Sequence, residues 1–245
     1  MTSNSQRIRL QPAYLLHRRP YRETSAILEF LTPEHGRIAL IAKGVRRKRS
    51  PLTPLLQLYR PLLLSWRGRG PLYSLDQVEE NGRMYLLSGL SMMSGFYINE
   101  LLVRLLQHEE AYPALYALYE LLLQQLSEDG KGAELEWLLR QFELRLLNDL
   151  GYALNLETEV ESGAALQPEQ RYHYQPMQGA YHWQEGKQGG LPLHGGTLLD
   201  LASGDLSKQR SRREAKQLMR TLLAALLGDK PLNSRELIRK MKTTE

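Results

Sequence analysis

The 245-residue chain contains no cysteine, which removes disulfides, thiolate metal centres and cysteine nucleophiles together. No run approaches the roughly 18 apolar residues that span a bilayer. The opening stretch MTSNSQRIRL lacks the apolar segment of a signal peptide, so the expected localisation is cytoplasmic. Catalytic signatures are missing as well. There is no G-x-x-x-x-G-K phosphate loop, no H-E-x-x-H zinc helix and no G-x-S-x-G nucleophile elbow. The six histidines are scattered. His108, Glu109 and Glu110 read as a solvated helix end, because helical neighbours point about 100° apart and cannot converge on one metal. His173 and His182 are placed to pair across a hairpin, yet two imidazoles without a third ligand make a weak metal site. Glu134, Glu136, Glu143 and Asp149 share a helix with arginines and read as a charged, solvated face. Neither an enzyme nor a cofactor is expected.

What the chain does have is an uneven charge distribution. The total is +5, but residues 1–80 carry 14 Lys and Arg against 6 Asp and Glu, residues 81–170 carry 5 against 14, and residues 171–245 carry 13 against 7. Two basic ends around an acidic middle point to a polyanionic partner onto which both ends converge. Membranes and acidic proteins also attract such patches, and uneven solvation of a surface is the plain alternative. The densest region is residues 17–49, with Arg18, Arg19 and Arg22 around Tyr21 in one cluster and Lys43, Arg46, Arg47, Lys48 and Arg49 in a second. Arg and Lys neutralise phosphates and release counterions, while a neighbouring aromatic stacks on an unpaired base. Tyr21 beside Arg22 and Trp66 beside Arg67 are the stacking candidates; Trp66 reads equally well as a core residue at the barrel end. No helix-turn-helix pattern is visible, so binding is expected to ignore base sequence.

Short β-type runs punctuated by Gly and Pro predict five strands: Leu10 to Leu16, Ser25 to Leu31, Gly36 to Lys43, Pro61 to Trp66 and Pro71 to Gln77. Five strands in about 70 residues suit an OB-fold, which binds oligonucleotides through strands 2 and 3 and the loops joining strands 1 to 2 and 4 to 5. Those two loops are HRRPYRET and the stretch holding Arg67 and Arg69. Alternation along the third strand puts Ile38, Leu40 and Ala42 on one face and Arg37, Ala39, Ile41 and Lys43 on the other, which then faces phosphate. From Leu86 the period changes to that of helices: 86–107, 113–126, 133–150 capped by Gly151, and 207–227 closed by Gly228. Lys208, Arg210, Arg212 and Arg213 open the last of these and are expected to bind DNA together with the cations of the basic arm. A capping box at Asn233 and Glu236 starts a further helix. Residues 155–196 lose periodicity, and within them RYHYQ and AYHWQ around PMQG predict a hairpin with a four-residue turn. The expected fold is therefore α+β, with a five-stranded OB-fold barrel over residues 1–80, a mostly helical domain over 81–245, and a small β-hairpin insert at 155–196 that lacks zinc ligands.

RPYRETS at 19–25, HGR at 35–37, AKGVRRKRS at 42–50, GRG at 68–70, INELL at 98–102, FELRLLNDLGY at 142–152 and KPLNSREL at 230–237 fall in the order seen in the bacterial RecO recombination mediator family. The chain resembles that family over nearly its whole length. The resemblance implies an N-terminal OB-fold, binding of single- and double-stranded DNA, annealing of complementary strands, action with RecR, and help for RecA in replacing single-strand-binding protein. It implies no enzyme. Many relatives hold zinc with four cysteines after the LGY; here that region has none, so metal is not expected. Relatives also dock the acidic, apolar C-terminal tail of single-strand-binding protein on the helical domain. Arg140, amid Trp137, Leu139 and Phe142, is the candidate for the tail's carboxylate. An internal salt bridge to Glu136 or Glu143 is the competing reading of Arg140.

Three other functions stay open on the residues alone. An RNA chaperone would prefer RNA to DNA of equal length, a metal-dependent nuclease would shorten labelled DNA in magnesium, and a membrane-surface protein would sediment with liposomes.

Overall fold

A computed structural model describes residues 6–68, 72–128, 133–185 and 189–237. The chain forms two compact units, Met1–Asp129 with Leu232–Glu245 and Gly130–Pro231. The first two helices thus pack with the barrel.

Five strands, β1 (Gln6–Tyr21), β2 (Ser25–Thr32), β3 (Gly36–Ala42), β4 (Pro61–Gly68) and β5 (Tyr73–Glu80), close into a barrel in the order β1-β2-β3-β5-β4. All pairs are antiparallel except β3 with β5. This is the five-stranded barrel expected, with one large difference. β1 is 16 residues long and runs to Tyr21, so Arg18 and Arg19 lie on a strand and only Arg22, Glu23 and Thr24 form the turn. The first part of β1 pairs with β4 and the second with β2, and register shifts at Ile8/Gln11 and Leu15/His17 bend it between the two. Leu28, Phe30, Ile38, Leu40, Leu62, Leu64 and Trp66 fill the barrel, and Leu52, Leu55 and Leu58 from the β3–β4 connection pack against them.

β2 is buried from Ala26 to Thr32 on both faces. Helix α1 (Gly89–Leu105) packs on β1, and helix α2 (Pro113–Ser127) packs on β2. A buried polar chain joins them to the barrel. Asn99 of α1 donates to the Leu16 carbonyl at 3.1 Å, Tyr119 of α2 donates to Asn99 Oδ1 at 2.7 Å, and Tyr14 donates to Glu120 at 2.8 Å. Burial and then the Glu120 bond and charge hold the Tyr14 phenol far above its ordinary range. The tyrosines of α2 are packing residues: Tyr14 lies 5.6 Å from Tyr116 and 5.3 Å from Tyr119 by ring centroids.

Residues 108–110 are not a helix end, since α1 stops at Leu105. Glu109 N–H donates to the Arg37 carbonyl at 2.9 Å, and the Glu110 carbonyl would lie 1.6 Å from any Cβ at position 36. Gly36, at φ +57°, is the residue that admits this approach. Residues 233–237 begin a helix whose first amides are satisfied by a distant acid instead of the expected capping box. Glu100 of α1 accepts from the Asn233 and Ser234 amides, both at 2.9 Å, and from the Ser234 hydroxyl.

The second unit contains α3 (Ala133–Asp149), a sheet ordered β7-β6-β8 from β6 (Arg171–Gln175), β7 (Gly179–His182) and β8 (Leu191–His194), then α4 (Gly195–Ser203) and α5 (Gln209–Leu227). Gly151 takes φ +84° at the end of α3, the left-handed cap predicted. The β6–β7 hairpin is present with a three-residue loop, because Gln175 pairs with Gly179. β8 and α4 were not expected. His173 and His182 do not pair: they sit at adjacent positions in the ladder, so they leave opposite faces. His173 instead stacks on Trp183 at 4.2 Å, and Arg171 lies 5.5 Å over the other ring system of that stack. Among the described residues no three His, Asp or Glu side chains are grouped to hold a metal ion, and no helix is long and apolar enough to cross a membrane.

Candidate nucleic-acid interface

The two clusters of the basic arm meet at one end of the barrel, and backbone pairing brings them there. Tyr21 pairs with Ser25 at the tip of β1–β2, and Ala42 pairs with Ala26, so Lys43 leaves the sheet beside that tip. Residues 43–50 then fold back on it. Arg46 N–H donates to the Thr24 carbonyl at 2.9 Å, and Arg46 Nη1 donates to the Arg22 carbonyl at 2.9 Å. The loop is held from behind by Thr53, whose hydroxyl donates to the Val45 carbonyl at 2.9 Å. Arg22 takes φ +52° and places its guanidinium 5.2 Å from the Tyr21 ring.

Arg18, Arg19, Arg22, Lys43, Arg46, Arg47, Lys48 and Arg49 are all exposed. Among the described residues none of these eight has an acid within ion-pair distance. Arg18 and Arg19 project from opposite faces of β1, opposite Leu28 and Ile27 respectively, so they flank the hairpin. Such a cluster, dense and unneutralised, concentrates positive potential where a phosphate chain would lie.

Other cations from the sequence reading are already engaged. Arg37 is largely buried and its Nη1 is 3.5 Å from Glu29; burial presses its guanidinium below the usual range while the Glu29 charge pushes back. It does not face solvent as a phosphate ligand, because the segment 108–110 covers that side of β3. Arg67 contacts Asp76 at 3.0 Å beside Arg7 at 3.7 Å, at the start of β1, away from the tip of β1–β2. Arg69 lies outside the described residues. Trp66 is 2% exposed and fills the barrel, with His35 edge-on at 5.3 Å, so it is core and not a base-stacking platform. Tyr21 stays at the surface.

Two of the four residues expected to receive a peptide tail are internal. Arg140 is 8% exposed and donates to Glu143 at 2.7 Å, and Glu143 is itself buried. Phe142 is fully buried, and Trp137 and Leu139 are half-buried. Glu143 is thus no part of a solvated face. The competing internal salt bridge is what the fold contains.

On α5, Lys208 contacts Asp200 at 3.2 Å. Arg212 donates to the Leu206 carbonyl at 3.0 Å and lies 3.6 Å from Glu136. Both are local ties. Arg210 and Arg213 are exposed, as are Lys216 and Arg220, which the sequence reading left out of the site. The one acid on this helix, Glu214, faces inward and accepts from Thr197 at 2.7 Å and from the amide and Nδ1 of His194. Burial pushes its carboxyl up, but those bonds outweigh burial and hold it below the ordinary range.

A cleft of about 740 Å³ in the first unit, lined by Leu86, Leu87, Phe96, Val103 and Leu237 with Arg18 at its edge, was also missed. Its signal is Leu86, apolar yet 71% exposed.

Residues 8–81 match the family described as Recombination protein O N terminal, and residues 87–236 match Recombination protein O C terminal. The chain is 42% identical over 243 residues to the DNA repair protein RecO of Nitrosospira multiformis, covering 99% of each. It is 43% identical over 234 residues to the protein of that name from Coxiella burnetii, covering 96% of this chain and 99% of the relative. With the one from Nitrosococcus oceani it shares 44% over 236 residues, 96% and 95% of the two lengths. Matched in both halves and along nearly all its length, the chain belongs to the RecO family of DNA repair and recombination proteins.

Proposed function

We propose that the protein is a non-enzymatic recombination mediator that holds DNA by its phosphate backbone at the end of the barrel and brings complementary strands together. The carrying observation is the convergence of eight exposed, acid-free cations on one barrel end, fixed there by the two Arg46 hydrogen bonds. Neutralising both strands lowers their mutual repulsion and raises their local concentration, and no bond need be made or broken. Contacts of this kind are indifferent to base sequence. They serve single and double strands alike.

Its partners in this reading are those that the family resemblance implies: RecR, and single-strand-binding protein, from which RecA takes over the strand. For the acidic, apolar tail of the latter, Arg140 and Phe142 are buried, while Trp137 and Leu139 are half-buried. The cleft of the first unit has the matching chemistry, with exposed Leu86 for an apolar side chain and Arg18 for a carboxylate.

Annealing of two labelled complementary strands, with and without the coating protein, is the test. The reading expects acceleration in both conditions; strands that anneal no faster with the protein than without it would refute it. Tighter binding to RNA than to DNA of equal length would favour an RNA chaperone instead.

A further inference from the structure

α5 is amphipathic in an unusual way. Its inner face, including Ala215, Leu218, Met219 and Leu222, is buried. Its outer face, read along Gln209, Arg210, Arg213, Lys216, Gln217 and Arg220, is exposed throughout and contains four cations and no acid. Folding does not explain these residues. The first turn has no acidic residue and no side-chain cap, so its cations oppose the helix dipole, which favours negative charge at that end. Among the described residues only Glu136 approaches the row, 3.9 Å from Lys216, across a cleft of about 650 Å³. Among the described residues, Arg210, Arg213 and Arg220 have no acid within ion-pair distance.

From Arg210 to Arg220 the row extends about 15 Å at a rise of roughly 1.5 Å per residue. One strand of a nucleic acid presents a phosphate about every 3.4 Å along the axis. Four cations therefore face about four phosphates.

We infer that the outer face of α5 is a second, separate surface for a phosphodiester backbone, which takes one strand while the barrel end holds the other. Lys208 and Arg212, tied to Asp200 and Glu136, shape this surface and do not contact the strand. The inference rests on the strand-gathering function proposed above. It adds that each unit carries its own site.

The test uses the full chain with two short oligothymidylate strands that cannot pair, one carrying a donor dye and one an acceptor. The wild-type protein should bind two strands and give energy transfer. Arg210→Glu with Arg213→Glu should bind one, with second-strand affinity down roughly tenfold or more at 0.15 M salt, two contacts at about 0.7 in slope each. Its melting temperature should not fall, because Arg210 lies in the first turn, where an acid suits the dipole, and Arg213 is exposed. Arg210→Lys with Arg213→Lys keeps the charge and should keep the transfer. Two strands and full transfer in the Glu variant, or one strand on the wild type, would overturn the inference. Reversal of Arg47, Lys48 and Arg49 separates the two claims: if that variant still holds both strands, the barrel-end reading fails while the α5 surface stands.

Discussion

The barrel end and the body of α3 both carry arginine, and they use it in opposite ways. On α3, Arg140 reaches Glu143 at 2.7 Å and Arg145 reaches Asp149 at 2.8 Å, one helical turn away in each case. Each cation there meets an acid of its own helix. At the barrel end eight cations are exposed, and Glu23 is the single acid among residues 17–28. Mutual repulsion at such density costs stability, and among the described residues no acid pairs with these cations to offset it. Whether an acid stands within reach decides which of the two can meet a polyanion.

Charge reversal separates the regions most sharply. Replacing Arg46, Arg47 and Lys48 by Glu together should weaken single-strand binding at least about fiftyfold at 0.15 M salt, for three lost contacts at roughly 0.7 each in slope. Fluorescence anisotropy with strands of unrelated sequence should show equal losses. On α3 the effect should be on folding instead. Arg140→Ala leaves Glu143 buried without its cation, a loss of about 3–5 kcal/mol, readable by urea denaturation, with DNA affinity of the folded protein unchanged. A comparable loss of affinity would mean the α3 pair is not merely internal.

Arg46→Lys makes a finer cut. It retains the charge but not the fork that bonds the Arg22 carbonyl, so affinity should fall about fivefold, one hydrogen bond of roughly 1 kcal/mol, while the salt slope stays as it was. An unchanged affinity would mean that the Arg46 bond to the Arg22 carbonyl does not clasp the two clusters. The smallest effect is one of pH in the second unit. Glu159 accepts from the Ser162 hydroxyl and the Ser162 and Glu161 amides, which hold its carboxyl down at about 2. A lowered carboxyl stabilises the fold above its unfolded value near 4.5 and loses that contribution as pH falls toward 2. Glu159→Gln should flatten the dependence of melting temperature on pH in that window.

The barrel was legible because its strands are short and separated by Gly and Pro, and the helices because their apolar residues recur every three or four positions. The end of β1 was not. Arg18, Arg19 and Pro20 look like a loop, but there β1 pairs only with β2, and an edge tolerates proline. β8 and α4 were hidden in LPLHGGT, whose glycines read as loop. Gly195 is there for packing, since a Cβ would meet the Gln167 carbonyl at 2.2 Å. Pairing was legible only within a helix, as for Arg140 and Glu143. Arg37 with Glu29 and Arg67 with Asp76 join different strands, and their meeting depends on a register that composition does not disclose.

The measurement that bears most directly on the central claim is the salt dependence of single-strand affinity, wild type beside the Arg46, Arg47 and Lys48 reversal. If about five phosphates are contacted, the wild-type log-log slope should be near −3.5, and the variant's about −1.4. A flat wild-type response, or a variant whose slope matches the wild type, would contradict the account.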